Sequence, residues 1–180
     1  MQALSIPVSA QYVRRIFCLG ALLQRVSGPR ATWTDLGKEA GIYVVYCEVK
    51  QALHFEPHSG TATYAKTTNP EFLGQEWQRI NERAPTDIVY IGKGDNIRKR
   101  VRLLVRFGVG RADNHHGGEW MWQIQEIKEA NVLTQTCPVG RQKAFENWLL
   151  ERFREEHGCY PLANQKGPEG PERWHPGIDA

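Results

Sequence analysis

The chain has 180 residues, a formal net charge of +3 and a hydrophobic fraction of 41%. This length is typical of one domain, and the hydrophobic fraction suffices for an ordinary core, which excludes a chain that is disordered in bulk. Because the net charge is small, a nucleic-acid partner can be predicted only from local clusters of charge.

Cysteine usage and the apolar runs indicate the compartment. The four cysteines are widely separated and form no CxxC pair, so we expect no structural zinc site, and a chain of this length needs no disulfides. The apolar run IFCLGALL follows two arginines, but Gln24 and Arg25 end it and no A-x-A cleavage site follows. Since no run is long enough to span a bilayer, we expect a cytoplasmic protein without a membrane partner.

Residues 1–40 predict a helical extension. Apolar residues recur at helical spacing from Ala10 to Val26, and the sequence Ser-Gly-Pro at 27–29 ends the pattern. We interpret this helix as packing on the domain that follows, because nothing in it indicates chemistry.

The first β-strand is predicted from Gly41 to about Val49. The run GIYVVY is rich in β-branched and aromatic residues. Alternation along a strand puts Tyr43 and Val45 on one face, and the residues between and beside them on the other.

Residues 50–86 are interpreted as an insertion, with an exposed loop from His54 to Thr68 and then a helix. Asn69-Pro70-Glu71 supply a capping residue, a proline in the first turn and an early acid, and Ala84-Pro85 end the segment. This helix is expected either to cover the sheet or to touch a substrate, and the sequence leaves both open.

A strongly basic helix follows the second predicted strand, IVYI. Gly92 and Gly94 break that strand, and Asp95 or Asn96 can cap the helix. Apolar residues recur at helical spacing on one face, whereas seven basic residues and one acid lie between Lys93 and Arg111. Together these features predict a phosphate-binding unit, the alternative being a solvated charged face.

The rest of the chain predicts a helix, a strand, a second helix and a tail. The first helix extends from Glu119 to about Ala130, and the strand from Asn131 to Val139 ends near Pro138. The second helix extends from Gly140 to Glu156, and residues 165–180 form a Gly/Pro-rich tail.

Two tripeptides stand out in the predicted strands, Gly41-Ile42-Tyr43 and Tyr90-Ile91-Gly92, with Arg100 eight residues beyond the second. Glu146 in the helix FENWLLERF and Asn164 at the end of YPLAN follow in order. The segment that these residues span resembles the GIY-YIG nuclease superfamily.

The resemblance implies the fold of residues 41–164. We expect an α+β domain with a small three-stranded antiparallel sheet flanked by helices, preceded by the N-terminal helix. The segment 50–86 becomes an insertion between the first two strands, longer than the hairpin usual in the family.

The resemblance also implies the activity, that of a DNA endonuclease that depends on Mg²⁺ or Mn²⁺. Arg100 is expected on the scissile phosphate, for which its permanent planar charge is suited. Tyr43 and Tyr90 are expected to orient or activate the attacking water. A phenol ordinarily titrates at about pH 10, so a role as base requires a depressed pKa, which we expect from Lys93 or Arg100.

Glu146 has an argument of its own. Leu149, Leu150 and Phe153 follow it at helical spacing, so Glu146 lies near the apolar side of its helix. A carboxylate there needs a partner charge or a metal, and hard oxygen ligands suit Mg²⁺. The acid of the family holds the metal, so the resemblance assigns this role to Glu146; the alternative is a salt bridge to an arginine.

The histidine departs from the family pattern. Family members often carry histidine or tyrosine four residues after the arginine, where this chain has Leu104. The nearby candidates are His115 and His116, of which we assign the catalytic role to His116, and Leu104 leaves a weakened enzyme open. Asn164, Gly41 and Gly92 are expected to support the site. The expected contacts with DNA are Lys93, Arg98, Lys99, Arg102 and Arg106.

Two other hypotheses belong to different classes. One is a noncatalytic nucleic-acid-binding module on a decayed nuclease fold, which Leu104 favours and the retained site residues disfavour. The other is a protein that binds an acidic partner through the basic helix. The sequence does not choose among restriction, repair, mobile-element and recombination roles, and it leaves the oligomeric state open.

Overall fold

The computed structural model describes residues 13–27, 33–48, 53–57, 68–111, 118–164 and residue 167. In chain order the elements are β1 (Arg14–Cys18), α1 (Leu19–Ser27), β2 (Gly41–Tyr46), α2 (Pro70–Arg83), β3 (Ile88–Gly94), α3 (Ile97–Gly108), β4 (Asn131–Thr136) and α4 (Gln142–His157). Two 3-10 turns, Glu119–Gln123 and Gln125–Glu129, precede β4.

The fold is α+β, as predicted, but the sheet has four antiparallel strands and not three. Their order is β1-β4-β2-β3, so β2 lies between β3 and β4, and the sheet is open. The prediction of one helix from Ala10 to Val26 was wrong in its described first half, because Arg14–Cys18 pairs with β4 along its whole length. Pairing with a strand edge satisfies the backbone groups of this short β-prone segment, and the helix begins only at Leu19, whose N–H donates to the carbonyl of Ala130 at 2.8 Å.

The central strand β2 divides the interior into two layers. Tyr43 and Val45 enter the larger core, which α1, α3 and the 3-10 turns share, whereas Ile42 and Val44 pack against α4 on the opposite face. The predicted alternation of β2 is therefore confirmed. Each face of the sheet is covered by helices, and α3 and α4 stand on opposite sides of β2 and β3.

The helix predicted inside the insertion is confirmed. Asn69 caps α2, its side-chain oxygen accepting from the N–H of Glu71 at 2.8 Å, and Pro70 occupies the first turn. Leu73 and Ile80 are fully or almost fully buried in the larger core. The helix therefore covers the hydrophobic core, while most of the loop predicted before it lies outside the described residues.

The continuous helix predicted from Glu119 to Ala130 was wrong. Two 3-10 turns occupy this segment, and Ile124 between them forms a β-bridge with Phe55. The N–H of Gln125 donates to the carbonyl of His54 at 3.0 Å. This pairing with a distant segment takes the place of helical hydrogen bonds, which a periodicity argument does not detect.

The remaining predicted elements are confirmed with shifted ends: α3, β4 and α4 each lie where the sequence predicted a helix, a strand and a helix. The predicted tail, apart from residue 167, lies outside the described residues. None of the helices in the described ranges combines the length and the apolar character that a bilayer crossing requires.

Candidate active site

Tyr43 and Tyr90 meet on one face of the sheet. In the antiparallel register of β2 and β3, Tyr43 stands opposite Gly92 and Val45 stands opposite Tyr90, so the tyrosines are diagonal neighbours. Their ring centroids are 5.8 Å apart at an interplanar angle of 56°. Both side chains are almost closed to solvent, with exposed fractions of 0% for Tyr43 and 4% for Tyr90.

Two glycines make room for this arrangement. A Cβ on Gly92 would lie 2.5 Å from the Cζ atom of Tyr43, so the ring packs directly on the backbone of β3. A Cβ on Gly41 would overlap the carbonyl oxygen of Gln135 on β4 and lie 2.6 Å from the Cδ1 atom of Ile97. Any larger residue at either position would move the strands or the tyrosine.

Arg100 lies in α3, on the face of the sheet that carries the tyrosines. A Cβ on Gly94 would stand 2.9 Å from the Cβ of Arg100, so the first turns of the helix pack closely on the end of β3. The guanidinium of Arg100 donates a hydrogen bond to the Tyr90 hydroxyl, and its charge acts on both phenols. The predicted cluster of Tyr43, Tyr90 and Arg100 is thus formed.

The expected depression of the phenol pKa values is wrong. Burial raises the pKa of Tyr43 well above its ordinary value of 10.0, and burial likewise raises the pKa of Tyr90. Arg100 opposes both shifts without overcoming them, because removing a phenolate from water costs more than this one charge returns. The hydrogen bond between the two hydroxyl groups raises the pKa of Tyr43 and lowers that of Tyr90. Both phenols are therefore neutral at physiological pH.

Glu146 stands on α4, the helix on the opposite face of the sheet. Its carboxylate is 12% exposed and forms an ion pair with Lys93 on β3, whose Nζ donates to Oε2. The negative charge of Glu146 nonetheless raises the pKa of both Tyr43 and Tyr90, so the carboxylate is close enough to influence the tyrosine pair. The alternative of a salt bridge at Glu146 is thus realised, with a lysine as the partner in place of an arginine.

The pairing of Lys93 with Glu146 is the contact that sequence reasoning missed. Lys93 was assigned to DNA, whereas its ammonium group lies on Glu146, 53 residues further along the chain. The strand pairing explains why Lys93 reaches Glu146. Lys93 stands opposite Ile42 in the register, and Ile42 faces α4, so the side chain of Lys93 lies on the α4 side of the sheet.

A metal site made of protein ligands alone is not formed in the described ranges. No group of three or more His, Cys, Asp or Glu side chains there is arranged to hold an ion. Mg²⁺ typically keeps several waters and uses one or two carboxylates together with substrate phosphates. A single partly buried carboxylate such as that of Glu146 meets the protein's share of this requirement.

The amino end of α3 is closed to a phosphate group. The N–H groups of Ile97 and Arg98 donate to the carbonyls of Glu39 and Gly37, each at 3.0 Å. The next two, of Lys99 and Arg100, donate to the side chain and the carbonyl of Asn96, at 2.8 and 3.0 Å. Since all four leading amides have partners, a phosphate would be bound by side chains and not by the helix terminus.

The basic residues of α3 other than Arg100 differ in their contacts and exposure. Arg98 is bound to the main chain, its Nε donating to the carbonyl of Leu36 at 2.6 Å and a terminal nitrogen to that of Thr34 at 2.9 Å. It therefore holds the loop that precedes β2. Lys99 and Arg102 are exposed, and Arg106 is half-buried. Lys99 and Arg102 are the basic side chains of α3 that point most clearly into solvent.

The histidine of the family pattern has no counterpart one turn beyond Arg100. Leu104 is completely buried in the larger core, so this face of α3 is committed to packing. His116, to which the role was assigned, lies outside the described residues.

Asn164 closes the free edge of β3. Its Oδ1 accepts from the N–H of Ile91 at 2.9 Å, and its Nδ2 donates to the carbonyl of Ile91 at 2.8 Å. The N–H of Ala163 also donates to the carbonyl of Val89 at 2.9 Å. The segment after α4 thus continues the ladder beside Tyr90 and holds the strand that carries it.

The geometry brings together the side chains of Tyr43, Tyr90 and Arg100, while the charge of Glu146, which is paired with Lys93, acts on both tyrosines from the α4 side. Comparison with known proteins adds nothing to it: no family model, no curated protein and no solved structure matches this chain.

Proposed function

We propose that the protein is a metal-dependent endonuclease of the GIY-YIG type, which hydrolyses phosphodiester bonds in DNA. The observation that carries the proposal is the mutual influence of four side chains from four elements. The charges of Arg100 and Glu146 both act on the phenols of Tyr43 and Tyr90. A cation and two hydroxyl groups on one face of the sheet, with a carboxylate whose charge reaches them from α4, are the kinds of group that phosphodiester hydrolysis requires.

Arg100 binds the scissile phosphate in this proposal. Its guanidinium keeps its charge at every physiological pH and donates from a planar fork that matches phosphate oxygens. Because it also donates to Tyr90, it links the phosphate to the phenol pair. The packing of α3 on β3 fixes the distance between the guanidinium of Arg100 and the phenol of Tyr90. Both groups are therefore in position before substrate binds.

The two phenols act in their neutral form. Their raised pKa values leave almost no phenolate at neutral pH, so neither serves as a preformed base. Tyr90 orients the attacking water through its hydroxyl group. The hydrogen bond between Tyr43 and Tyr90 holds the Tyr90 hydroxyl in position.

Glu146 holds the divalent cation, with Mg²⁺ or Mn²⁺ as the candidates. When bound, the cation supplies Lewis-acid stabilisation of the charge that develops on the phosphate. Glu146 is partly buried between apolar residues of α4, which strengthens its attraction for any cation that reaches it. Lys99 and Arg102 contact flanking phosphates without selecting a base sequence.

A second function is favoured by Leu104. Its burial in the core removes a proton-transferring side chain from the turn after Arg100. A noncatalytic module that binds nucleic acid through the basic helix is the function consistent with that loss. It predicts metal-independent DNA binding and no cleavage.

A plasmid-nicking assay with Mg²⁺, Mn²⁺ or EDTA separates the two functions. The endonuclease is expected to nick supercoiled DNA with either metal and not with EDTA. Glu146→Gln is expected to abolish nicking, whereas Glu155→Gln, which removes an exposed carboxylate from the same helix, leaves it unchanged. DNA binding without nicking in any metal would favour the noncatalytic module, and full activity of Glu146→Gln would exclude the metal role of Glu146.

A further inference from the structure

The residue that we propose as the metal ligand, Glu146, forms an ion pair with Lys93. Lys93 reaches it from the end of β3, on the side of the strand that faces α4. The side chain of Lys93 is 29% exposed, against 12% for Glu146, so the lysine is the member that solvent reaches more easily. Lys93 is therefore the partner that can be displaced.

The surroundings of Glu146 explain why a cation is needed there. Its neighbours on α4 include Phe145, Leu149 and Leu150, which are buried against the sheet. A carboxylate in such a place is destabilised unless a positive charge compensates it. Lys93 supplies that charge, and a divalent cation would supply the same compensation to the same oxygens.

We propose that Lys93 competes with the divalent cation for the Glu146 carboxylate. Cation binding then requires the ammonium group of Lys93 to leave Glu146 and turn toward solvent or a substrate phosphate. The proposal rests on the proposed function, because it takes Glu146 as the metal residue. It adds a regulatory role for Lys93, which compensates the charge of Glu146 while no metal is bound.

The size of the effect follows from population arithmetic. If Lys93 occupies the carboxylate in about nine molecules of ten, the apparent dissociation constant of the cation is about tenfold weaker than the intrinsic one. Replacing Lys93 by methionine keeps the length and apolar stem of the side chain and removes the competing charge. The apparent affinity should then rise about tenfold.

The experiment is a Mn²⁺ titration of the protein without DNA, in which electron paramagnetic resonance reports the free ion. Lys93→Met is expected to bind Mn²⁺ about tenfold more tightly than the natural chain, and Lys93→Met with Glu146→Gln should lose that gain. Lys99→Met is the matched control, since it removes the same charge from the exposed face of α3. Equal or weaker binding by Lys93→Met, or an equal gain in Lys99→Met, would overturn the competition.

A measurement on the natural chain decides the matter if Lys93→Met does not fold. Reductive methylation followed by peptide mass spectrometry reports how accessible each lysine amine is. Saturating Mg²⁺ is expected to speed methylation of Lys93 and to leave Lys99 unchanged, and an unchanged Lys93 rate would overturn the proposal. Nicking measured in parallel distinguishes failure of the competition from failure of the proposed function. Metal-dependent nicking without an effect of Lys93 on metal binding would reject the competition and keep the endonuclease. An effect of Lys93 on metal binding without any nicking would reject the endonuclease and keep the competition.

Discussion

The phenol ring of Tyr43 rests on the backbone of Gly92, its partner across the β2–β3 ladder. A methyl group on Gly92 would stand 2.5 Å from Cζ and 2.6 Å from the hydroxyl oxygen of Tyr43. The glycine of the second tripeptide is therefore present to make room for the tyrosine of the first. The two tripeptides, far apart in the chain, form one packing unit.

Gly92→Ala should destabilise the fold by about 1–3 kcal/mol, because the tyrosine is fully buried and cannot move into solvent. Gly74→Ala is the matched control on α2, where the nearest atom to the new methyl would be a Phe55 ring carbon at 3.9 Å. That change should stabilise by up to about 1 kcal/mol through helix propensity. Urea denaturation measures both, and a stable Gly92→Ala protein would contradict the packing argument.

The stability of the fold should fall at high pH because of Tyr43. Its folded pKa lies well above 10.0, so above that pH the unfolded chain loses the phenol proton while the folded chain keeps it. Stability is fully present below pH 10 and is lost, at about 1.4 kcal/mol per pH unit, as pH rises toward the folded value. Urea midpoints from about pH 8 to about pH 11 should fall more steeply for the natural chain than for Tyr43→Phe. Parallel curves would show that Tyr43 ionises alike in both states.

Alanine variants of Arg98 and Arg102 should affect different properties, the first the stability of the fold and the second the affinity for DNA. Arg98→Ala removes two hydrogen bonds to the loop before β2 and should lower the free energy of unfolding by about 1–3 kcal/mol. Arg102→Ala removes an exposed charge, so it should leave the melting temperature unchanged. Its DNA affinity should fall, and each lost phosphate contact should flatten the salt slope by about 0.9. An unchanged slope in Arg102→Ala would mean that this face of α3 does not meet DNA.

Arg100→Ala should abolish nicking while reducing DNA affinity little. Most nonspecific affinity comes from the summed phosphate contacts of many basic residues, whereas the catalytic contribution of Arg100 belongs to one phosphate. Arg102→Ala supplies the comparison, because it should weaken binding and retain the rate of nicking at saturating protein. Gel-shift and single-turnover measurements on both variants test this, and equal loss of rate in the two would remove the special role of Arg100.

Asn164→Ala should cost about 1–3 kcal/mol of stability, since it leaves the N–H and carbonyl of the fully buried Ile91 without their partners. Asn164→Asp keeps an acceptor for the N–H but loses the donor to the carbonyl, and it should be destabilised as well. Thermal melts provide the measurement. Melting temperatures equal to that of the natural chain would show that water replaces the side chain at this edge.

Local signals made part of this structure predictable. The caps Asn69 and Asn96 lie beside the helices that they begin, and the apolar stripe of α3 is complete within its own sequence. The elements that were mispredicted depend on distant partners. The strand β1 is fixed by contacts such as the bond from the N–H of Val13 to Thr136, 123 positions away. The helical spacing of the few apolar residues in this segment predicted a helix and not a strand.

The position of the tyrosine pair was predictable, but its electrostatic environment was not. The tripeptides singled out Tyr43 and Tyr90, and the resemblance implied neighbouring strands for them, as the pairing of β2 with β3 shows. The direction of their pKa shifts depends on burial by α3, Gly118 and the rest of the core, which no local pattern reports. The partner of Glu146 was likewise hidden, because it comes from another element.

The first strand of the described ranges, β1, lies at one edge of the sheet. β1 joins the sheet by pairing with β4, so the sheet cannot be completed before residues 131–136 are available. During synthesis Arg14–Cys18 must therefore wait for most of the polypeptide, and closing so long a loop makes this a slow, late step of folding. Until then the backbone groups at that edge of β4 are open to any other extended segment, which makes the interval before β1 docks the time when two chains can associate wrongly.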